Sequence, residues 1–110
     1  MKLPNASSAI IAREKLRDYL LNLGHKRGGS KARLLLSMGY LADDWERLEA
    51  DLRSQHFSAD VDATASSSYG QRLEIVADLT GPNGRILPFR SIWQIDIGTD
   101  VPRLITMYPE

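Results

Sequence analysis

The stretch that decides the fold is residues 72–97, RLEIVADLTGPNGRILPFRSIWQIDI. Apolar side chains alternate with others along 73–79 and again along 89–97, which is the period of a half-buried β-strand. The turn-forming residues GPNG at 81–84 separate the two runs. The stretch therefore predicts two antiparallel strands joined by a short turn. Proline has no N–H to donate to a strand ladder, so Pro88 predicts an edge position or a bulge at the start of the second strand.

Weaker patterns on either side complete the predicted architecture. ADVDATAS at 59–66 and RLITMY at 103–108 predict two further strands. Apolar residues at spacings of three and four predict helices over 10–23, from Ser30 as N-cap to Gly39, and from Asp43 to His56. Helices followed by strands with short turns predict an α+β fold. In the predicted fold, two to three N-terminal helices pack on a four-stranded antiparallel β-meander.

The composition fits one globular domain over residues 1–110, with 43% hydrophobic and 25% charged residues. No apolar run is long enough to cross a membrane, and the first residues, MKLPNASSAII, do not have the layout of a signal peptide. With no cysteine, the chain has neither disulfides nor a thiolate zinc site, and a cytoplasmic location is expected. The formal net charge is zero, so the chain as a whole is not a general nucleic-acid binder.

Four cations and three glycines are concentrated in GHKRGGSKAR at 24–33. The order of residues differs from that of a nucleotide P-loop, and a helix precedes the segment where a P-loop requires a strand. A weaker anion site remains, in which Gly28, Gly29, Ser30 and Lys31 offer N–H groups and a cation to a phosphate. The alternative is a glycine loop with a serine cap and solvated lysines, and the sequence leaves both open.

The two histidines have different predicted roles. His25 lies among cations, which favour its neutral form and suit a general base; an exposed loop histidine is the alternative. His56 ends the third predicted helix and is interpreted as structural. Because the histidines are far apart and no cysteine is present, the sequence contains no recognisable set of metal ligands. No metal and no cofactor are predicted.

The strands carry further candidates in Arg90, Ser91 and Thr106. Adjacent strand residues face opposite sides, so Arg90 and Ser91 share a site only if a bulge near Pro88 changes the alternation. In the alternative interpretation Ser91 is a small core residue, and Arg90 is an arginine that needs a partner.

Six segments together resemble a small bacterial domain family of unknown function. They are KLPNA at 2–6, EKLRDYLLN at 14–22, GGSKAR at 28–33, TGPNGR at 80–85, RSIW at 90–93 and PRLITMYP at 102–109. The family occurs as free-standing proteins and at the C-termini of phage head-associated and polymorphic-toxin-like proteins. Its layout is similar to that of the barnase–EndoU–colicin–RelE class of ribonucleases, which cleave RNA without a metal ion.

The resemblance implies a site between the sheet and the helices. His25 and Lys31 would come from the helical half, and Arg90, Ser91 and Thr106 from the strands. Ser91 stands where relatives often carry threonine, and the hydroxyl is kept. His25 would act as base or acid, Lys31 and Arg90 would hold the phosphate, and Ser91 and Thr106 would donate hydrogen bonds.

Two function classes follow. The first is a metal-independent, RNase-like toxin domain that binds and cleaves RNA by transphosphorylation, controlled by a small cognate antitoxin or immunity protein. The second is a non-catalytic interaction module, such as the neutralising or scaffolding half of a two-gene pair. A phosphate sensor that uses only the helix start at Ser30 is a third. No membrane partner is expected, and the sequence leaves the oligomeric state open.

Overall fold

The computed structural model describes residues 1–110 and confirms the predicted four-stranded sheet. Its strands lie side by side in chain order: β1 (Val61–Ser67), β2 (Gly70–Thr80), β3 (Ile86–Asp96) and β4 (Arg103–Pro109). Every neighbouring pair is antiparallel. With three helices before the sheet, the chain has the α+β fold that the sequence predicts.

The pairing of β2 with β3 is regular along its whole length. Leu73 lies opposite Trp93, and both side chains are fully buried. Pro88 lies opposite Asp78 in the same register, so the expectation of a bulge there is wrong. The ladder with β4 begins only at Phe89, so the start of β3 does lie at an edge on that side. The carbonyl of Pro88 still accepts a hydrogen bond from the Glu110 N–H at 3.0 Å, so the proline deprives the sheet only of one N–H donor.

The sheet is irregular on β4 instead. Thr106 pairs with Ile92 and Leu104 pairs with Trp93, so Ile105 is an extra residue on β4. An extra residue of this kind is a β-bulge, which bends the strand and changes where the adjacent side chains point. Ile105 and Thr106 both line the cleft described below.

Three helices precede the sheet, with bounds that differ from the predicted ones. They are α1 (Lys15–Leu20, with π-helical hydrogen bonding), α2 (Gly29–Ser37) and α3 (Trp45–Asp51, extended by a π-helical turn, Leu52–His56). Single 3-10 turns lie at Ala6–Ser8 and Ala42–Asp44. None of the helices is both long enough and apolar enough to cross a membrane.

The prediction that the first helix begins at Ile10 is wrong, because Ile10 pairs with the last strand. It forms a parallel bridge to Arg103. Its N–H donates to the carbonyl of Pro102 at 2.8 Å, and its carbonyl accepts from the N–H of Leu104 at 2.9 Å. These bonds hold the start of the chain beside β4, and α1 follows from there.

One core of 18 buried residues lies between the helices and the sheet. Leu16 and Leu20 of α1, Leu35 of α2 and Leu48 of α3 are fully buried in the same cluster as Trp93. Burying a leucine side chain contributes about 1.5–3 kcal/mol, so each helix is held firmly by a few such contacts. The core therefore fixes α1 and α2 in position next to β4.

Candidate functional site

His25 holds together the loop that joins α1 to α2. Its Nδ1 accepts hydrogen bonds from the backbone N–H groups of Arg27 at 3.0 Å and Gly28 at 3.1 Å. Its carbonyl accepts from the N–H of Gly29 at 2.9 Å. Its ring packs edge-on against Tyr19, with 4.9 Å between the ring centroids. His25 thus fixes the loop against α1.

These hydrogen bonds also determine the tautomer of His25. A ring nitrogen that accepts a hydrogen bond carries no hydrogen, so neutral His25 has its hydrogen on Nε2. The Nδ1 lone pair, which a general base would need, is already used by the loop. The geometry therefore favours a positioning role for His25, and its role as base or acid stays a prediction.

The N-cap of α2 is Gly28, whereas the sequence predicted Ser30 for this role. A Cβ at Gly28 would lie 2.2 Å from the carbonyl oxygen of Tyr19, so only glycine fits against α1 here. Helix α2 begins at Gly29, and no side chain caps it. The prediction of a Ser30 cap is wrong because the helix starts two residues earlier, with Gly28 as its N-cap in a loop that already bonds to His25.

The predicted anion site of Gly28, Gly29, Ser30 and Lys31 is only partly available. The N–H groups of Gly28 and Gly29 donate to His25 and are not free for a ligand. Ser30 is exposed on the first turn of α2. The Lys31 side chain, in contrast, extends towards α1 and β4.

Lys31 connects α2 to α1 and β4 through two hydroxyl groups. Its Nζ lies 2.6 Å from Oη of Tyr19 and 3.1 Å from Oγ1 of Thr106. The two oxygens are 3.2 Å apart. An ammonium group can only donate, so both oxygens accept from Lys31. Tyr19, Lys31 and Thr106 form the polar cluster of the site.

A cleft of about 460 Å³ opens beside the polar cluster. Its walls come from α1 with the residue before it, from the His25 loop, and from the bulged part of β4. The residues that line it are Glu14, Lys15, Tyr19, His25, Arg27, Ile105 and Thr106. The volume lies in the range of small-ligand sites.

The cleft has cations without counter-charges. Lys15 and Arg27 line it, and Lys31 donates to the hydroxyl groups of two lining residues, yet none of the three cations forms an ion pair with a carboxylate. Glu14 is the one carboxylate among the lining residues. No group of three or more His, Asp or Glu side chains is placed to hold a metal ion. The charge of the cleft therefore suits an anionic ligand.

The electrostatic surroundings of Tyr19 change its acidity. Burial raises the pKa of its hydroxyl, but hydrogen bonds with Lys31 and Thr106 and the charges of Lys31 and Lys15 together outweigh burial. The net pKa is lower than that of an ordinary tyrosine. The ammonium groups of Lys15 and Lys31 lie 5.6 and 5.0 Å from the ring centroid. A perturbed hydroxyl in an open cleft is a candidate for proton transfer.

Arg90 does not lie with the polar cluster, and carboxylates satisfy its charge. Its guanidinium is 2.8 Å from Glu74, 2.9 Å from Glu110 and 3.4 Å from Asp62. The hydrogen bonds that Arg90 donates to Glu110 and Glu74 raise its pKa further. A phosphate would have to displace these partners, so the structure gives no support to Arg90 as a phosphate clamp.

Ser91 is also separate from the cleft, because it is fully buried under α3. Its Oγ is 2.8 Å from Nδ1 of His56 and accepts from Nε1–H of Trp93 at 2.9 Å. Ser91 and Arg90 point to opposite faces of β3, and the bulge that could have joined them lies on β4. The expectation that both share a site with His25 and Lys31 is therefore not met.

Sequence reasoning missed Tyr19, Lys15 and Arg27 as residues of the cleft. Tyr19 fits the apolar stripe of the first predicted helix, and its ring does pack on the core. The available signal was chemical, since a tyrosine has an apolar ring and a polar end that needs a partner. His56 was interpreted as structural and is fully buried, but its bond to Ser91 was not foreseen.

Comparison with known proteins gives a family and a similar fold. Residues 2–110 match the family model described as Domain of unknown function (DUF6883). No curated protein matches the sequence. One similar solved structure is a contact-dependent growth inhibition toxin–immunity protein complex from Klebsiella pneumoniae 342, with a TM-score of 0.74 and 15% sequence identity. The match covers 96% of this chain and 96% of that one, and at this identity it shows a shared fold.

Proposed function

Since the chain belongs to DUF6883, a family of unknown function, we propose its function from the chemistry of the cleft. The cleft binds an RNA phosphate, and the chain is an RNase-like toxin domain that cleaves RNA by transphosphorylation without a metal ion. The observation that carries the proposal is the Lys31 ammonium, which donates to the hydroxyl groups of Tyr19 and Thr106, two residues that line an open cleft. Lys15 and Arg27, which have no carboxylate partner, stand at its walls.

RNA suits a cleft of this kind because RNA carries its own nucleophile. Once the 2′-hydroxyl loses its proton, its oxygen attacks the neighbouring phosphorus. The bond to the 5′-oxygen breaks, leaving a 2′,3′-cyclic phosphate and a 5′-hydroxyl. The protein has to move protons and stabilise the negative charge that grows on the phosphate. Lys31, Lys15 and Arg27 supply that stabilisation, and Thr106 orients the phosphate.

His25 supports the site by holding Arg27 and Gly28 in the loop through Nδ1. Arg90 and Ser91 have no part in this version of the site, because their partners lie elsewhere.

Control by a small cognate partner is part of the proposal. It is supported by the fold shared with a chain of a complex whose name pairs a growth inhibition toxin with an immunity protein. A toxin of this type needs a neutralising protein in the cell that makes it. The same likeness also fits a chain on the immunity side of such a pair.

The alternative is a non-catalytic interaction module, and strand β1 favours it. β1 is at one edge of the sheet, and its residues from Asp62 to Ser67 are exposed. An unpaired edge can accept a strand from another protein. In that case the cations of the cleft would have no catalytic consequence.

Expression of the chain alone in a bacterial host tests the proposal. We expect growth arrest and fragmentation of total RNA by the purified protein. Lys31→Met removes the ammonium but keeps most of the stem, and it should abolish both effects. Lys26→Met is the matched control, since Lys26 is an exposed cation of the loop before α2 that neither lines the cleft nor bonds to the polar cluster.

Circular dichroism and thermal melting show whether each variant folds. If Lys31→Met is unfolded, Arg27→Met gives the same test from the exposed wall of the cleft. Normal growth and intact RNA with soluble, folded wild-type protein would overturn the RNase proposal and favour the interaction module. Equal activity of wild type and a folded Lys31→Met would show that the cleft is not the site.

A further inference from the structure

We infer that Tyr19 is the catalytic residue of the cleft that takes the proton from the 2′-hydroxyl, and that His25 is a positioning residue. This inference rests on the proposed function. It assigns the proton-transfer step, which the family description leaves open, to a residue that the sequence pattern places in an apolar stripe.

The Tyr19 hydroxyl is placed to meet a substrate proton. It lies in the polar cluster, 2.6 Å from Lys31 and 3.2 Å from Thr106, and Tyr19 lines the cleft. An anionic substrate held by Lys31 would therefore meet the Tyr19 oxygen directly. A general base must be within hydrogen-bond reach of the proton that it takes, and Tyr19 meets this condition.

The charges around that hydroxyl favour its ionised form. Lys31 donates to its oxygen, and the ammonium of Lys15 lies over the ring. Both cations stabilise a phenolate, so the pKa of Tyr19 is lowered despite burial. His25 and Arg27, which face the same space, add no negative charge, and Glu14 is the one acidic group of the lining.

His25 is not available as a competing base. Nδ1 of His25 accepts two backbone N–H groups, so it has no free lone pair for a substrate proton. Nε2 carries the ring hydrogen. A proton could be taken at His25 only by releasing the loop that forms one wall of the cleft.

The proposed step conserves protons and charge. The Tyr19 phenolate takes the proton of the 2′-hydroxyl while the 2′-oxygen forms a bond to phosphorus and the bond from phosphorus to the 5′-oxygen breaks. The 5′-oxygen takes a proton from a water molecule in the open cleft. The resulting hydroxide takes the proton back from Tyr19, which restores the phenolate beside Lys31.

Tyr19→Phe tests the inference because it removes one oxygen and keeps the ring that packs on the core. We expect kcat to fall by about 10²–10⁴-fold with little change in KM, since general-base catalysis contributes about that much. The rise of the wild-type rate with pH should be lost as well. Tyr69→Phe is the matched control, because Tyr69 is exposed outside the cleft and should leave the rate unchanged.

His25→Asn separates the two roles, because the asparagine side-chain oxygen can accept the same backbone N–H groups. We expect it to keep a rate within about tenfold of wild type and the wild-type pH profile, less than the loss from general-base removal. Full activity of Tyr19→Phe would overturn the assignment. So would a fall in kcat of about 10²–10⁴-fold in His25→Asn, the loss expected for Tyr19→Phe. Either result would leave the RNase proposal standing. A folded wild type that cleaves no RNA would instead overturn the proposed function and the assignment with it.

Discussion

His56 is predicted to make the protein sensitive to mild acid. It is fully buried, and burial lowers its pKa from 6.5 to about 4, with only a partial opposing effect from the backbone of Ala77. Nδ1 bonds to Ser91, and Nε2 makes no hydrogen bond of normal geometry, so the Ala77 backbone compensates the ring only weakly. A proton on the imidazole would therefore place an unpaired charge in the core.

The sign and size of the effect follow from the two pKa values. Below pH 6.5 the unfolded chain binds a proton at His56 that the folded chain binds only below about pH 4. The free energy of unfolding therefore falls as the pH falls, and the loss is complete below about pH 4. At 1.36 kcal/mol for each pH unit between the two values, the full loss is about 3 kcal/mol. Between pH 7 and pH 5 it is about 2 kcal/mol.

Urea unfolding of wild type and His56→Gln at pH 7 and pH 5 measures this loss. The variant cannot gain the proton, so its unfolding free energy should change by about 2 kcal/mol less than that of wild type over this interval. Most carboxylates titrate below pH 5, and their effect cancels between the two proteins. An equal pH dependence for both proteins would refute the burial of His56 and, with it, the reason for excluding Ser91 from the site.

Two further predictions concern residues around the site. Arg90→Gln removes the bonds to Glu74 and Glu110 and should lower the melting temperature, most clearly at low salt. RNA cleavage should stay at the wild-type rate. Loss of cleavage in the folded variant would show that Arg90 belongs to the site. Gly28→Ala forces a Cβ against the carbonyl of Tyr19 and should cost about 1–3 kcal/mol in stability as well as most of the activity. Gly24→Ala is its control, because a Cβ there makes only an ordinary contact, and equal melting temperatures for the two variants would contradict the packing argument.

The sheet could be predicted because its information is local. Alternation along 72–97 and the turn at 81–84 specify the hairpin, and the structure reproduces it with a regular register. The start of the first helix could not be predicted in this way. Ile10 fits the helical spacing, but its backbone pairs with Arg103 at the other end of the chain, and no local pattern carries that contact.

The site was predicted in part for a similar reason. The choice of Lys31 and Thr106 rested on residue chemistry and on the resemblance, and the structure does bring their side chains into contact. Arg90 and Ser91 depended on a bulge near Pro88, whereas the bulge is on β4. Tyr19 was hidden because helical periodicity records its ring and gives no weight to its hydroxyl.

The products formed from a short RNA in the presence of a metal chelator test the central claim most directly. We expect fragments that end in a 2′,3′-cyclic phosphate and a 5′-hydroxyl. We also expect no cleavage of the same strand with 2′-deoxy sugars, and little cleavage by a folded Lys31→Met. Cleavage of the deoxy strand, fragments with 5′-phosphates, or full activity without the Lys31 ammonium would contradict transphosphorylation in this cleft.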